Sequence, residues 1–133
     1  MSGPARRHEL RVYYEDTDFS GLVYHASYLR FLERGRTEWL RALGLHQGEL
    51  HAGAAPVVFV VRRMTIDWLK PARMDDVVAV ETRLAELRGA TADLSQTILR
   101  GRELLVEARV VIACLAGGRP RRLPETLRAI TSV

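Results

Sequence analysis

The sequence predicts an α+β domain of two layers, one long helix cradled by a curved antiparallel sheet. Three observations carry this. Over residues 27–43 the apolar side chains Tyr28, Phe31, Leu32, Gly35, Trp39, Leu40 and Leu43 fall on one broad helical stripe, while Arg30, Glu33, Arg34, Thr37, Glu38 and Arg41 face away from it. After that stripe come four long extended runs, at 57–69, 76–87, 91–99 and 103–115. Two of their junctions, Arg88-Gly89 and Arg100-Gly101-Arg102, are tight enough to be hairpins, which makes the strands antiparallel. A strand of about 12 residues spans roughly 40 Å, enough to wrap a helix of roughly 25 Å.

Taken in order, the polar residues 1–8 are expected to be a loosely held leader to a single domain covering 1–133. Residues 9–14 alternate weakly, with Leu10, Val12 and Tyr14 on one side, and read as the first strand. Glu15, Asp16 and Asp18 form an acidic loop with Gly21 as its turn residue. Ser27 is the expected N-cap of the helix and Gly44 its terminating glycine. Gly35 weakens the helix it interrupts, so its place on the buried stripe predicts a close approach to the sheet. Residues 45–56 connect, with room for one helical turn. The first half of the second strand, 57–61, is continuously apolar, as in a strand covered on both faces. Lys70-Pro71 ends it. Gly117-Gly118 closes the sheet at five strands.

Length and composition narrow the function. A chain of 133 residues argues for one domain around one core. Cys114 is the single cysteine, so no internal disulfide can form, and its place in an apolar alternation reads as core. With no apolar signal segment, the expected compartment is cytoplasmic, with peripheral placement at the inner membrane left open. No apolar run nears the ~20 residues that cross a bilayer. The net charge of +4 is carried almost wholly by arginine, which suits phosphate and carboxylate ligands. No nucleic-acid motif or aromatic ladder accompanies it, so no nucleic-acid partner is expected. His8, His25, His46 and His51 lack the close spacing of metal ligands, and no metal or other cofactor is expected.

Residues 13–39, YYEDTDFSGLVYHASYLRFLERGRTEW, concentrate the useful chemistry. Carboxylates and a histidine gather ahead of a helix start, where free N–H groups carry partial positive charge. From spacing alone Glu15, Asp16 and Asp18 compete for a reactive role. His25 serves equally as a site residue or a structural histidine, and Tyr24 as a pocket wall or a packed aromatic. Glu33 lies three residues from both Arg30 and Arg36 and reads as a surface ion pair.

The run Tyr14-Glu15-Asp16-Thr17-Asp18, then Gly21-Leu22-Val23-Tyr24-His25, then Tyr28-Leu29, Phe31, Glu33, Arg36 and Glu38 resembles the hotdog-fold acyl-CoA thioesterases of the 4-hydroxybenzoyl-CoA thioesterase group. It looks most like the branch found with the bacterial Tol–Pal envelope system. Met64-Thr65, Pro71-Ala72-Arg73, Asp75-Asp76, Arg88-Gly89 and Leu123-Pro124 extend the resemblance across nearly the whole chain. It implies a hotdog fold, with the helix as sausage and the sheet as bun. It implies a homodimer or homotetramer with sites at subunit boundaries, and hydrolysis of a small or medium acyl-CoA without a metal, coenzyme A being part of the substrate. An acyl carrier protein is a further expected partner.

By motif position the resemblance makes Asp18 the catalytic carboxylate, attacking directly or activating water. His25 orients substrate or assists proton transfer, Asp16 holds the loop, and N–H groups near His25 and Ala26 polarise the carbonyl. Tyr24 joins the substrate-binding set. Phosphate contacts are expected from Arg88, Arg121 and Arg122, each of which also reads as a solvated surface charge. The alternative function is a catalytically silent acyl-CoA or acyl-carrier binding module on the same fold.

Overall fold

A computed structural model, which describes residues 5–52 and 56–130, has the two expected layers. Strand β1 (Arg6–Arg11) leads through a 3-10 turn (Tyr14–Asp16) and the acidic loop into helix α1 (His25–Ala42). Then follow helix α2 (Gln47–Ala52) and strands β2 (Val57–Trp68), β3 (Val77–Arg88), β4 (Thr91–Arg100) and β5 (Glu103–Ala116). A two-residue β6 (Arg119–Pro120) and helix α3 (Glu125–Ile130) complete the described chain. Every strand pairing is antiparallel, in the order β1-β3-β4-β5-β2, with β6 added beside β5. This is the hotdog arrangement, with five long strands and a sixth stub that Gly117 and Gly118, both at positive φ, fold back onto β5.

The start of the chain departs from expectation. β1 begins at Arg6, so Arg6, Arg7 and His8 belong to the sheet, opposite Thr82, Glu81 and Val80, and are no leader. Residues 1–4 lie outside the described residues. Tyr14 leaves the strand because Asp16 closes a tight turn: its Oδ2 accepts the Tyr13 N–H at 2.9 Å, and its own N–H donates to Tyr13 O at 3.0 Å. Helix α1 also starts two residues early. Tyr24 is the N-cap residue, without a side-chain cap bond, and Ser27 sits buried inside the first turn. The far end is as expected. Gly44, at φ +84°, donates to Arg41 O at 2.9 Å while Leu45 donates to Leu40 O at 2.9 Å, which satisfies two of the helix's last carbonyls.

The stripe of α1 supplies Tyr28, Phe31, Leu32, Trp39 and Leu40 to one core shared with Val80, Leu84, Leu94, Ile98, Val106 and Val110. Gly35 is where helix and sheet come closest: a Cβ there would collide with the Val80 side chain and lie 3.3 Å from Gln96 Nε2. A buried polar chain holds the same level. Gln96 Nε2 donates to Leu32 O at 3.0 Å and to Thr82 Oγ1 at 2.9 Å, and its Oε1 accepts from Arg36 Nη1 at 3.1 Å. Arg36 is therefore an interior residue, not the exposed partner of Glu33, and burial pulls its pKa down. With the middle of α1 pinned in this way, the position of its first turn follows.

Strand β2 corrects a second expectation. Its apolar run is not covered on both faces: among the described residues β2 is an outer strand with one free edge, and Val60 and Val61 are 39% and 46% exposed. A continuous apolar run does not by itself place a strand in the middle of a sheet.

Candidate active site

The acidic loop owes its shape to a small hairpin. Asp18 N–H donates to Leu22 O at 2.8 Å, Gly21 N–H to Asp18 O at 3.1 Å, and Thr17 bridges Val23. Gly21 takes φ +84°, which favours glycine. Asp16 is buried beneath the loop, its carbonyl accepting the Tyr24 N–H at 2.9 Å and its carboxylate 3.7 Å from Arg30 Nη2. Its side chain is thereby committed to backbone and arginine. Asp18 is exposed. Both the N–H (2.8 Å) and the hydroxyl (2.5 Å) of Ser20 donate to its Oδ1. These Ser20 bonds, first the hydroxyl and then the amide, hold the Asp18 carboxyl below its ordinary pKa of 3.8.

Asp18 and His25 line one cleft of about 280 Å³, with Tyr28, Trp68, Lys70 and Pro71 among its other walls. The His25 ring lies against the Trp68 indole, centroids 4.8 Å apart. Tyr28, buried on the helix stripe, accepts the Ala72 N–H on its hydroxyl at 2.9 Å and so ties the Pro71 wall to α1. Lys70 is paired with Glu103 at 3.2 Å, and Glu103 in turn holds Arg100 at 2.6 Å. At the helix start Ser27 N–H already donates to Tyr24 O at 2.8 Å. The N–H groups of His25 and Ala26 have no acceptor among the described residues, which leaves two donors with the helix dipole behind them. A carboxylate and an imidazole lining one apolar-walled cleft, beside a helix start with free amides, can polarise a carbonyl and attack it. A larger hollow of about 710 Å³, bounded by Tyr13, Tyr14 and Met74, shares no residue with this cleft.

The other expected site residues lie elsewhere. Tyr24 is 56% exposed and outside the cleft lining, so it is neither pocket wall nor packed aromatic in this chain. Arg88 is held by Asp93 at 2.9 Å and Glu86 at 2.7 Å, and these pairings raise its pKa and offset its charge. Arg121 and Arg122 border a hollow of about 530 Å³ beside Cys114 and Leu123. Trp68 pairs with Val106, whereas the Arg121 N–H meets Cys114 O. The eight strand positions between Val106 and Cys114 amount to roughly 26 Å. One chain therefore brings Asp18 and His25 together, and carries its basic end at the opposite end of the sheet. Sequence reasoning missed Trp68, Tyr28 and Ser20. Ser20 alone had a local signal, a hydroxyl two residues after an aspartate in a tight turn. Among the described residues no three His, Cys, Asp or Glu side chains converge as metal ligands, and the His51 side chain lies outside those residues.

Comparison with known proteins follows the same outline. The model of the thioesterase-like superfamily matches residues 12–130. The acyl-CoA thioester hydrolase YbgC of Escherichia coli O6:H1 is 44% identical over 126 residues, covering 92% of each chain. The acyl-CoA thioesterase YbgC of Haemophilus influenzae is 43% identical over 122 residues, covering 90% of this chain and 89% of its own. The crystal structure of a probable thioesterase from Bartonella henselae superposes with a TM-score of 0.88 at 45% identity, covering 91% of this chain and all of the other.

Proposed function

The chain belongs to the thioesterase-like superfamily and is an acyl-CoA thioesterase, and we propose that Asp18, His25 and the start of α1 carry its reaction. One observation carries this assignment: Asp18 and His25 line a single cleft, and His25 opens the helix whose first amides have no acceptor among the described residues. The thioester carbonyl oxygen accepts from the His25 and Ala26 N–H groups, which stabilise the oxyanion as it forms. Asp18 either attacks the carbonyl carbon, giving an anhydride that water then opens, or takes a proton from the water that attacks. In both routes one water is consumed, the C–S bond breaks, and the thiolate leaves and takes up a proton. Hydrolysis in H₂¹⁸O under single turnover identifies the first route where water opens the anhydride at the Asp18 carbonyl, because the label then enters Asp18 and not the product acid. The relatives carry hydrolase names, and the silent binding module draws no support from them.

The cleft is too small for a whole CoA thioester, since pockets for drug-sized ligands run to ~300–1,000 Å³. We propose that a second copy completes it. The free edge of β2, with exposed Val60 and Val61, supports a homodimer formed by antiparallel pairing of two β2 strands. Such pairing brings the Trp68 end of one copy beside the Val57 end of the other, near Arg121 and Arg122 of the partner subunit, which then meet the CoA phosphates. A homotetramer is two such dimers. The same site suits an acyl group on a carrier protein, whose arm ends in the same thiol. A small or medium acyl chain, a cytoplasmic site of action with peripheral attachment at the inner membrane, and a link to the Tol–Pal system rest on sequence resemblance. The proposed chemistry uses the chain's own groups, so turnover is expected to survive exhaustive chelation.

The decisive variant is Asp18→Asn. Thiol release from a panel of acyl-CoAs is expected to fall by about 10²–10⁴-fold, with the far-UV circular dichroism unchanged. Full activity in that variant removes Asp18 from the mechanism.

A further inference from the structure

We infer that Ser20 is a positioning residue for the reaction: it locks one oxygen of the Asp18 carboxylate and presents the other to the thioester. The inference rests on the assignment of Asp18 above. Its ground is geometry. Two donors from one residue, the Ser20 amide at 2.8 Å and its hydroxyl at 2.5 Å, converge on Oδ1. Each such bond to an ionised acceptor is short and strong, and two on one oxygen fix the rotation of the carboxylate. Oδ2 is then the oxygen available to the carbonyl carbon or to water.

The surroundings offer little competition for this role. The groups facing Asp18 from the rest of the cleft are His25 and Tyr28 on α1, and Trp68 and Lys70 at the end of β2. Lys70 is already paired with Glu103, and the Tyr28 hydroxyl already meets the Ala72 amide. Within the loop, the Leu22 amide adds a smaller stabilisation of the charge than Ser20 does. Asp18 is exposed, so without Ser20 it would turn as a solvated side chain does and would protonate near the ordinary value. The Gly21 turn keeps the serine in reach: with φ at +84° the chain doubles back and holds the Ser20 amide toward the aspartate.

The sign follows from which form is bound. Ser20 donates to the carboxylate, so its hydroxyl favours the charged form and extends activity toward acid. Removing the hydroxyl moves the acid limb of kcat/KM to higher pH. The experiment compares the parent with Ser20→Ala and Ser20→Thr, following loss of thioester absorbance from about pH 7 down to about pH 3, with circular dichroism at each pH to confirm that the fold persists. The deficit of Ser20→Ala relative to the parent is expected to grow as the pH falls, and Ser20→Thr, which keeps both donors, is expected to restore the parent profile. A Ser20→Ala profile that superimposes on the parent overturns the inference. So does a loss that Ser20→Thr, which keeps both donors, fails to restore. Failure of the underlying assignment looks different: Asp18→Asn would then retain activity, whereas an inactive Asp18→Asn beside an unshifted Ser20→Ala removes only the role of Ser20.

Discussion

Gly35→Ala tests whether the depth at which α1 sits in the sheet is set by one missing side chain. In an isolated helix the change is favourable by about 1 kcal/mol. Here the new Cβ would press on the Val80 side chain and lie 3.3 Å from Gln96 Nε2. Val80 is fully buried in β3, and its branched side chain has few rotamers to retreat into. Overpacking of this kind costs about 1–3 kcal/mol, so a net loss of about 1 kcal/mol is expected after the propensity gain. That corresponds to a fall in Tm of roughly 3–6 °C for a domain of this size. Gly48→Ala in α2 is the control: nothing lies within 4 Å of its added Cβ and its φ is ordinary, so propensity acts alone and Tm is expected to hold or rise. Paired thermal melts give the answer. If Gly35→Ala is as stable as the parent or gains as Gly48→Ala does, the close approach of helix and sheet is not what positions α1.

Three further variants probe the site and its basic end. Tyr28→Phe removes the acceptor of the Ala72 amide and is expected to cost about 1–3 kcal/mol, visible as a lower Tm, together with a higher KM as the Pro71 wall loosens; an unchanged Tm and KM would dissociate that bond from the cleft. Arg121→Ala with Arg122→Ala is expected to raise KM for acyl-CoA by about tenfold, one lost charge-assisted contact being worth ~1.5–3 kcal/mol. Arg88→Ala, whose charge already serves Glu86 and Asp93, is expected to leave KM within about twofold, as for an exposed ion pair. Steady-state kinetics in which Arg88→Ala has the larger effect would reverse the assignment of the phosphate contacts.

Much of this protein was legible in the order of its residues, because periodicity and local chemistry are properties of neighbours in sequence. The α1 stripe, Gly44 at its end and the hairpin turns follow from spacing and backbone freedom. So does the gathering of Asp18 and His25, which a short loop and a helix start place side by side. Details that depend on side-chain competition within a few residues came out shifted: Asp16 capped a turn where a strand was expected to continue, and Tyr24 opened the helix in place of Ser27.

Only the tertiary structure decided the rest. Arg36 is close to Glu33 in sequence, yet Gln96 from β4 takes its guanidinium into the core. Trp68 reaches His25 because β2 runs the length of the sheet back to the start of α1, a contact across more than forty residues of chain that no local pattern encodes. Arg88, Arg121 and Arg122 share the basic character of CoA-binding residues with no sign of where they stand, and the fold carries them to the end opposite Asp18. The physical reason is the same in each case. Sequence records what a residue is and how its neighbours repeat, whereas pairing register and packing depth are set by contacts that form only when the whole sheet closes around the helix.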